Sequence, residues 1–409
     1  MRKWKMAALC MCIGLLITSC GTKDSQPEDT VNTEKTEKTE EEMRAEAKQA
    51  KLDMIELSAY DNVTGLELEP GTYFSLIGRS SSKEYWKEVE AGAKAAADDI
   101  NKLMGYEGSD KVKVVYSAPA DSDNVGEQVS ILDEELSRYP NALGISVIDV
   151  QSCHVQFDLA TQNSVPIVLF DSLSDYQGVM ARVSTDNRGA SKEAAVHMAE
   201  ALEDQGEVIV YMNDDLSTSA GDREEGFVNE IKDNHPNMTI AGVYYKNRLD
   251  DLKKEIVMGG NNPGGGVTLE MAEEEASLTP EDIQDKIDEL TEEEVLDYIL
   301  SKHPDVKGIY TSNGTTALSM VSACERAEKD GIQIITYDGD SEVMKAIENG
   351  EIYGTILQNP YGIGYATIIA EARAILEMGN EADVNTGYVW VSGDNYKDEE
   401  IKILYSQMK

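Results

Sequence analysis

Positive charge is scarce in this chain: 36 Lys and Arg face 77 Asp and Glu over 409 residues, a formal charge of −41. A field of that sign repels phosphate backbones and anionic headgroups, which excludes sequence-independent nucleic-acid binding. Long apolar runs are scarce too. Met6 to Ile17 is the one stretch that could enter a bilayer, and its place at the extreme N-terminus excludes a multi-spanning transporter or channel. Of five cysteines, Cys10 and Cys12 sit in that run and Cys20 just after it, so only Cys153 and Cys324 remain for the body and a disulfide framework is excluded. His154, His197, His235 and His303 show no ligand spacing, and no Asp-x-Asp-x-Asp-Gly loop occurs, so neither metal nor cofactor is expected.

What is present begins with a basic start (Arg2, Lys3, Lys5) followed by Met6 to Ile17, the length of a signal-peptide apolar region. Residues 1–19 are therefore expected to be an export signal. It ends in Leu16, Ile17, Thr18, Ser19, Cys20 and Gly21, which looks like the lipobox of bacterial lipoproteins. That resemblance implies cleavage before Cys20 and a lipid on its sulfur, anchoring the exported chain to the outer face of the cell membrane. Residues 20–69 are expected to be the lipidated Cys and a flexible acidic tether, because the Thr33 to Glu40 run and its neighbours lack the apolar content that offsets chain entropy. Met43 to Leu57 has helical potential within it.

From Tyr73 onward short apolar runs alternate with helix-length segments. Phe74 to Gly78, Val112 to Tyr116, Ala142 to Ile148 and Pro166 to Phe170 read as strands, with Trp86, Val89, Ala93, Ala97, Ile100 and Met104 as an intervening helical stripe. A second set comprises Val208 to Met212, Thr239 to Tyr245, Val306 to Thr311, Gln333 to Tyr337 and Tyr353 to Leu357. This rhythm predicts an α/β protein of two doubly wound parallel-sheet lobes. Gly259 to Gly266 interrupts the second set. It lacks the Lys and Ser/Thr of a phosphate-binding loop, and Thr279 and Thr291 each precede an acidic first turn, so a loop and helices inserted at about 250–300 are expected.

Several motifs then fall in series: Tyr85 Trp86 with Glu90 Ala91 Gly92 Ala93; Val165 to Asp171; Ser184 to Gly189; Gly221 to Phe227; Tyr310 to Leu318; Thr336 to Gly339; and Leu357 to Pro360. In this order, over about residues 73 to 395, the sequence resembles the exported ribose- and galactose-binding proteins, with the type 1 periplasmic binding fold. The resemblance implies a three-crossing hinge near Ser184 to Asp186, Gln358 to Asn359 and Gly387 to Val391. It divides the chain into 70–185 plus 359–388 as lobe 1 and 186–358 plus 389–409 as lobe 2. It also implies a monomer that takes a small carbohydrate to an ABC import permease without catalysing a reaction. By resemblance Asp171, Arg223, Asn313, Asp338 and Gln358 recognise hydroxyls, and Tyr85 and Trp86 stack on the sugar ring.

The residue chemistry agrees, since Asp171, Asn313, Asp338 and Gln358 fall at or beyond strand ends, where open parallel sheets bind ligands. Carboxylates, Arg and Asn/Gln suit adjacent hydroxyls, and flat aromatic faces suit C–H surfaces. Bland roles exist beside these: Trp86 also begins a core stripe, Arg223 fits a helix surface, and Asp338 with Gly339 fits a turn. Lys83 and Glu84 stand where relatives often have Asn-Pro, and Lys83 allows a partly anionic ligand. Two other classes stay open: a ligand-presenting sensor for a membrane kinase or chemoreceptor, and a secreted glycosidase using a carboxylate pair such as Asp171 and Asp338. The Cys153–His154 neighbours read as structural.

Overall fold

A computed structural model describes residues 39–121, 124–258 and 279–405. The export signal, Cys20, the first part of the tether and the Gly259 to Gly266 loop lie outside the described residues. The chain runs through α1 (Glu40–Asp53), β1 (Tyr73–Ile77), α2 (Glu84–Met104), β2 (Lys113–Ser117), α3 (Val125–Ser137), β3 (Ala142–Ile145), α4 (His154–Gln162), β4 (Ile167–Phe170) and β5 (Ala181–Ser184). Next come α5 (Asn187–Ala201), β6 (Gly206–Met212), α6 (Thr218–Asn234), β7 (Met238–Tyr245), α7 (Leu249–Val257), α8 (Pro280–Glu289), α9 (Glu292–Lys302), β8 (Val306–Thr311), α10 (Gly314–Arg326), β9 (Gln333–Tyr337), α11 (Ser341–Asn349) and β10 (Gly354–Gln358). It closes with α12 (Pro360–Ile375), β11 (Asp383–Asn385), β12 (Tyr388–Ser392) and α13 (Glu399–Tyr405).

The strands form two six-stranded sheets, ordered β11-β5-β4-β3-β1-β2 and β12-β10-β9-β8-β6-β7. All recorded pairings are parallel except β10 with β12. Each lobe therefore repeats one winding, with its first strand beside the second and third and a returning strand at the far edge. Alternation fixes the layers. On β4, Val168 and Phe170 join the core under α2 and α12, whereas Ile167 and Leu169 join the core under α3 and α4. On β6, Ile209 and Tyr211 face α9 to α11, while Val208, Val210 and Met212 face α5 and α6. Close helix packing adds to this: a Cβ at Gly92 of α2 would come within 1.9 Å of the Tyr361 carbonyl, and one at Gly364 of α12 within 1.9 Å of the Val89 carbonyl. Only glycine permits that approach.

The chain passes between the sheets three times, at Thr185–Asp186, at Asn359 and at Thr386–Gly387. Two of the three crossings also begin helices. Asp186 accepts the Gly189 N–H at the start of α5, and Asn359 accepts the Gly362 N–H at the start of α12. Asn385 Oδ1 accepts the N–H groups of both Asp186 (3.2 Å) and Gly387 (3.0 Å), and Asn359 Nδ2 donates to the Thr386 carbonyl (3.0 Å). Two amide side chains thus tie the three crossings together.

Two expectations are corrected. Residues 39–69 do not behave as a flexible tether. The capping box of Thr39 with Glu42 starts α1, and Leu52, Ile55, Tyr60, Leu66 and Leu68 are buried in the lobe 1 core. Each such side chain contributes about 1.5–3 kcal/mol of burial, which offsets the ordering entropy that charge and polarity suggested would win. Lys51 is buried in an ion pair with Glu88 at 2.8 Å. In the 250–300 region, α9 is not an insertion: Val295, Leu296, Ile299 and Leu300 are core residues, and α9 is the crossover helix between β7 and β8.

Candidate functional site

The carboxyl ends of both sheets face one another across a cleft of about 260 Å³. All eight sequence-predicted residues line it: Lys83, Tyr85, Trp86, Asp171, Arg223, Asn313, Asp338 and Gln358. Their settings differ.

Arg223 is carried on α6 and buried, with 7% exposure, and is no surface residue. Its Nε donates to Asn187 Oδ1 (2.8 Å), its Nη1 to the Ser312 carbonyl (2.6 Å), and its guanidinium lies 4.1 Å from the Tyr337 ring centroid. Burial opposes its charge, but the fields of Asp338, Tyr337 and Asp171 outweigh that and raise its pKa. Nε and Nη1 are thus both committed, and Nη2 makes no hydrogen bond among the described residues.

Asp171 and Asp338 follow the fourth strand of their respective sheets, β4 and β9. Both have positive φ, 55° and 70°, a region where Asp is tolerated better than most residues. Each N–H donates to a carbonyl of the fifth strand, Val183 for Asp171 and Ile356 for Asp338. The Asp171 carboxylate accepts the Tyr85 hydroxyl (2.6 Å) on one oxygen and the Ser146 hydroxyl (3.0 Å) on the other. Asp338 accepts only the Gln358 amide among described side chains (2.6 Å). It shows some surface to the cleft but is otherwise surrounded by protein, and that burial pushes its pKa up to about 6 against the pull of Arg223.

Tyr85 is held as a neutral hydroxyl, its pKa raised well above the usual by burial and by Asp171 and Asp338. Trp86 fills both roles weighed from sequence, meeting Phe170 edge-on at 6.3 Å in the core while presenting surface to the cleft. Asn313 caps α10 by accepting the Thr316 N–H (2.9 Å), so the cleft has only its remaining amide capacity. Lys83 is exposed at the rim, 3.5 Å from the Thr315 hydroxyl and next to Glu84, whose carboxylate accepts the Ser341 N–H of the other lobe.

Several lining residues were not singled out from sequence. Arg79 follows β1, and Asp214 follows β6. They form a buried ion pair across the lobes, Arg79 Nη2 to Asp214 Oδ2 at 3.3 Å. Burial would raise the Asp214 carboxyl, but Arg79 and the Ser217 hydrogen bonds hold it below its usual range. The strand-end rule that found Asp171 would also have found Asn213 and Asp214 after Met212, had it been applied to every strand. Thr218 Oγ1 accepts the Leu173 N–H at 2.6 Å, a further contact between lobes. Cys153 is buried with its thiol pushed up to about 11 by burial, and His154 turns to Ser174 and Asp175, so the pair is not arranged as nucleophile and base.

Comparison with known proteins places this geometry. The D-apiose import binding protein of Paraburkholderia graminis is 21% identical over 291 residues, 70% of this chain and 78% of that protein. The ribose import binding protein of Escherichia coli is 22% identical over 290 residues, 71% and 80%. Among solved structures, a carbohydrate transporter solute-binding protein of Agrobacterium radiobacter in complex with D-arabinose matches with TM-score 0.63 and 23% identity, covering 81% of this chain and 98% of that one. An ABC transporter solute-binding protein of Agrobacterium vitis bound to α-D-tagatopyranose matches with TM-score 0.65 and 19% identity, covering 81% and 98%. The model of the periplasmic binding protein domain matches residues 74–257 and 267–379. With both sheets, the hinge and the cleft inside or beside that match, the chain belongs to the periplasmic binding protein domain family.

Proposed function

We propose that the chain captures one neutral monosaccharide between its lobes and presents the closed form to an ABC import permease. The observation that carries the reading is Arg223, held at Nε and Nη1 and flanked by Asp171 and Asp338 from opposite lobes. A hydroxyl-bearing ring set among them receives donors and acceptors from both lobes at once, so binding stabilises closure. A volume near 260 Å³ suits a single ring better than a chain of sugars. The two carboxylates beside one buried guanidinium disfavour an anion, and Lys83 is exposed at the rim. The relatives that import ribose and D-apiose, and the neighbours holding D-arabinose and tagatopyranose, support a pentose or hexose. In this reading the ligand is released unchanged, Cys20 carries the lipid anchor, and the protein works outside the cell membrane as a monomer.

The test is thermal unfolding of the purified chain with pentoses, hexoses and the matching uronates. A sugar at about a hundred times its Kd should add roughly 2.7 kcal/mol. Stabilisation by a neutral sugar and none by its uronate supports the proposal. Cooperative unfolding unmoved by every neutral sugar defeats it.

A further inference from the structure

The segment before β1 grips the hinge on the side away from the cleft. Gln358 points into the cleft, while the next residue, Asn359, turns the other way and donates to the Lys51 carbonyl at the end of α1 (2.7 Å). The Glu56 N–H donates to the Asn385 carbonyl (3.1 Å), and Glu56 Oε1 accepts from Asn385 Nδ2 (2.7 Å). Asn385 is the residue whose Oδ1 holds Asp186 and Gly387, so Glu56 reaches two crossings through one side chain. Gly387 has φ +77°, and a Cβ there would sit 2.5 Å from the Met54 carbonyl. Lys51 anchors the segment in lobe 1 through Glu88 and lies 5.2 Å from the Tyr361 ring centroid just beyond the second crossing. Lobe 2 meets it through α13, which packs on α1, and Leu404 lines the same narrow crevice as Lys51 and Met54. Both partners of that contact, α1 and α13, lie outside residues 74–379, the span of the family match.

A rotation that opens the cleft about the three crossings must bring the lobes together behind them, and that space is filled by α1 against α13. We propose that residues 40–56 are a positioning strap, which props the back of the hinge and biases the ligand-free protein toward the closed, binding-competent form. Glu56 and Lys51 are its positioning residues. Affinity is thereby tuned from outside the cleft, because the apparent Kd rises as the competent fraction falls. The inference rests on the clamp reading above, and the first measurement is chosen to need no ligand.

The experiment uses the exported chain with Cys20 replaced by Ser and spin labels on Ser130→Cys of α3 and Lys232→Cys of α6. Both positions are exposed, and the native Cys153 and Cys324 are buried. Glu56→Ala removes the side-chain hold on Asn385 and leaves the backbone bond, and Leu404→Glu severs α13 from α1 without altering residues 40–56. Either variant should move the ligand-free inter-label distances toward a more open distribution. D-arabinose, as probe, should then bind about threefold or more weakly, as the competent fraction falls. Glu56→Gln keeps an oxygen for Asn385 and should restore the distances. Distances unchanged in both variants, or shifted toward closure, overturn the strap. Distances that open with no arabinose binding by any form uphold it while sending the search to another ligand.

Discussion

Asp171 and Asp338 occupy the same place in the two lobes, yet they are prepared differently. Both end a fourth strand with positive φ and an N–H tied to the fifth strand. Asp171 already has a hydroxyl on each oxygen, from Tyr85 and Ser146. Asp338 has only the Gln358 amide, and burial leaves it close to half-protonated near pH 6. The difference teaches that one lobe holds a preset acceptor and the other an acceptor still short of donors. In the proposed clamp reading a hydroxyl-rich ligand would supply those donors, making the shortage in lobe 2 a drive toward binding and closure.

The comparison breaks most completely at the residue both carboxylates share. Arg223→Ala should weaken monosaccharide binding by roughly 2–5 kcal/mol, thirtyfold or more, because it leaves two facing carboxylates without their cation; calorimetric titration reads it. Next in size is the contrast between the two aspartates. Asp171→Ala should weaken binding about tenfold and also cost about 1–3 kcal/mol of stability, since it orphans the Tyr85 and Ser146 hydroxyls. Asp338→Ala should weaken binding to a similar degree with the melting temperature unchanged or raised. Equal melting temperatures for the two variants would erase the distinction.

A pH titration sharpens it further. A ligand hydroxyl donating to Asp338 favours the ionised form and lowers its pKa in the complex, so affinity should be full above about 6 and fall as pH drops through that value. Without ligand the sign reverses: the folded state holds this proton more tightly than the unfolded chain, so the group's contribution to stability declines as pH rises from 3.8 toward about 6. Asp338→Asn should flatten both profiles, and a binding curve that stays pH-dependent in that variant would move the effect elsewhere. The smallest effect is expected from Ser146→Ala, about 1 kcal/mol in melting, because Ser146 Oγ also accepts the Ser172 N–H at 3.1 Å.

Most of the sheet was legible because fully buried strands write themselves as apolar runs. β5, β11 and β12 were not, and the reason differs in each. Ala181–Ser184 is four residues with Arg182 partly exposed, β11 is three residues, and β12 is aromatic but adjoins Gly387 and pairs antiparallel at an edge. The helical potential of Met43 to Leu57 was legible, but the packing of residues 39–69 was not, because an acidic, Lys-rich start masks the apolar positions Leu52, Ile55, Tyr60, Leu66 and Leu68, which are spaced too irregularly for one helix or strand. In the cleft, residues that stand alone at a strand end were readable. The Arg79–Asp214 pair was not, because its meaning arises only when the two lobes face each other. Asn313 shows the reverse limit: its position is legible, but its oxygen is spent on capping α10.

The close seam between Gly92 of α2 and Gly364 of α12 has a consequence for how the molecule is made. Those helices cover one face of the first sheet, yet 272 positions separate the two glycines, with most of lobe 2 encoded between them. Lobe 1 therefore cannot complete its core, or gain its edge strand β11, until nearly the whole chain has emerged. Lobe 2 can assemble from contiguous sequence, apart from β12 and α13. Synthesis and export should accordingly yield an ordered second lobe before a finished first one, with the slow, long-range docking of α12 as the last step. If the export signal expected at residues 1–19 operates, late completion of lobe 1 keeps the polypeptide threadable for longer.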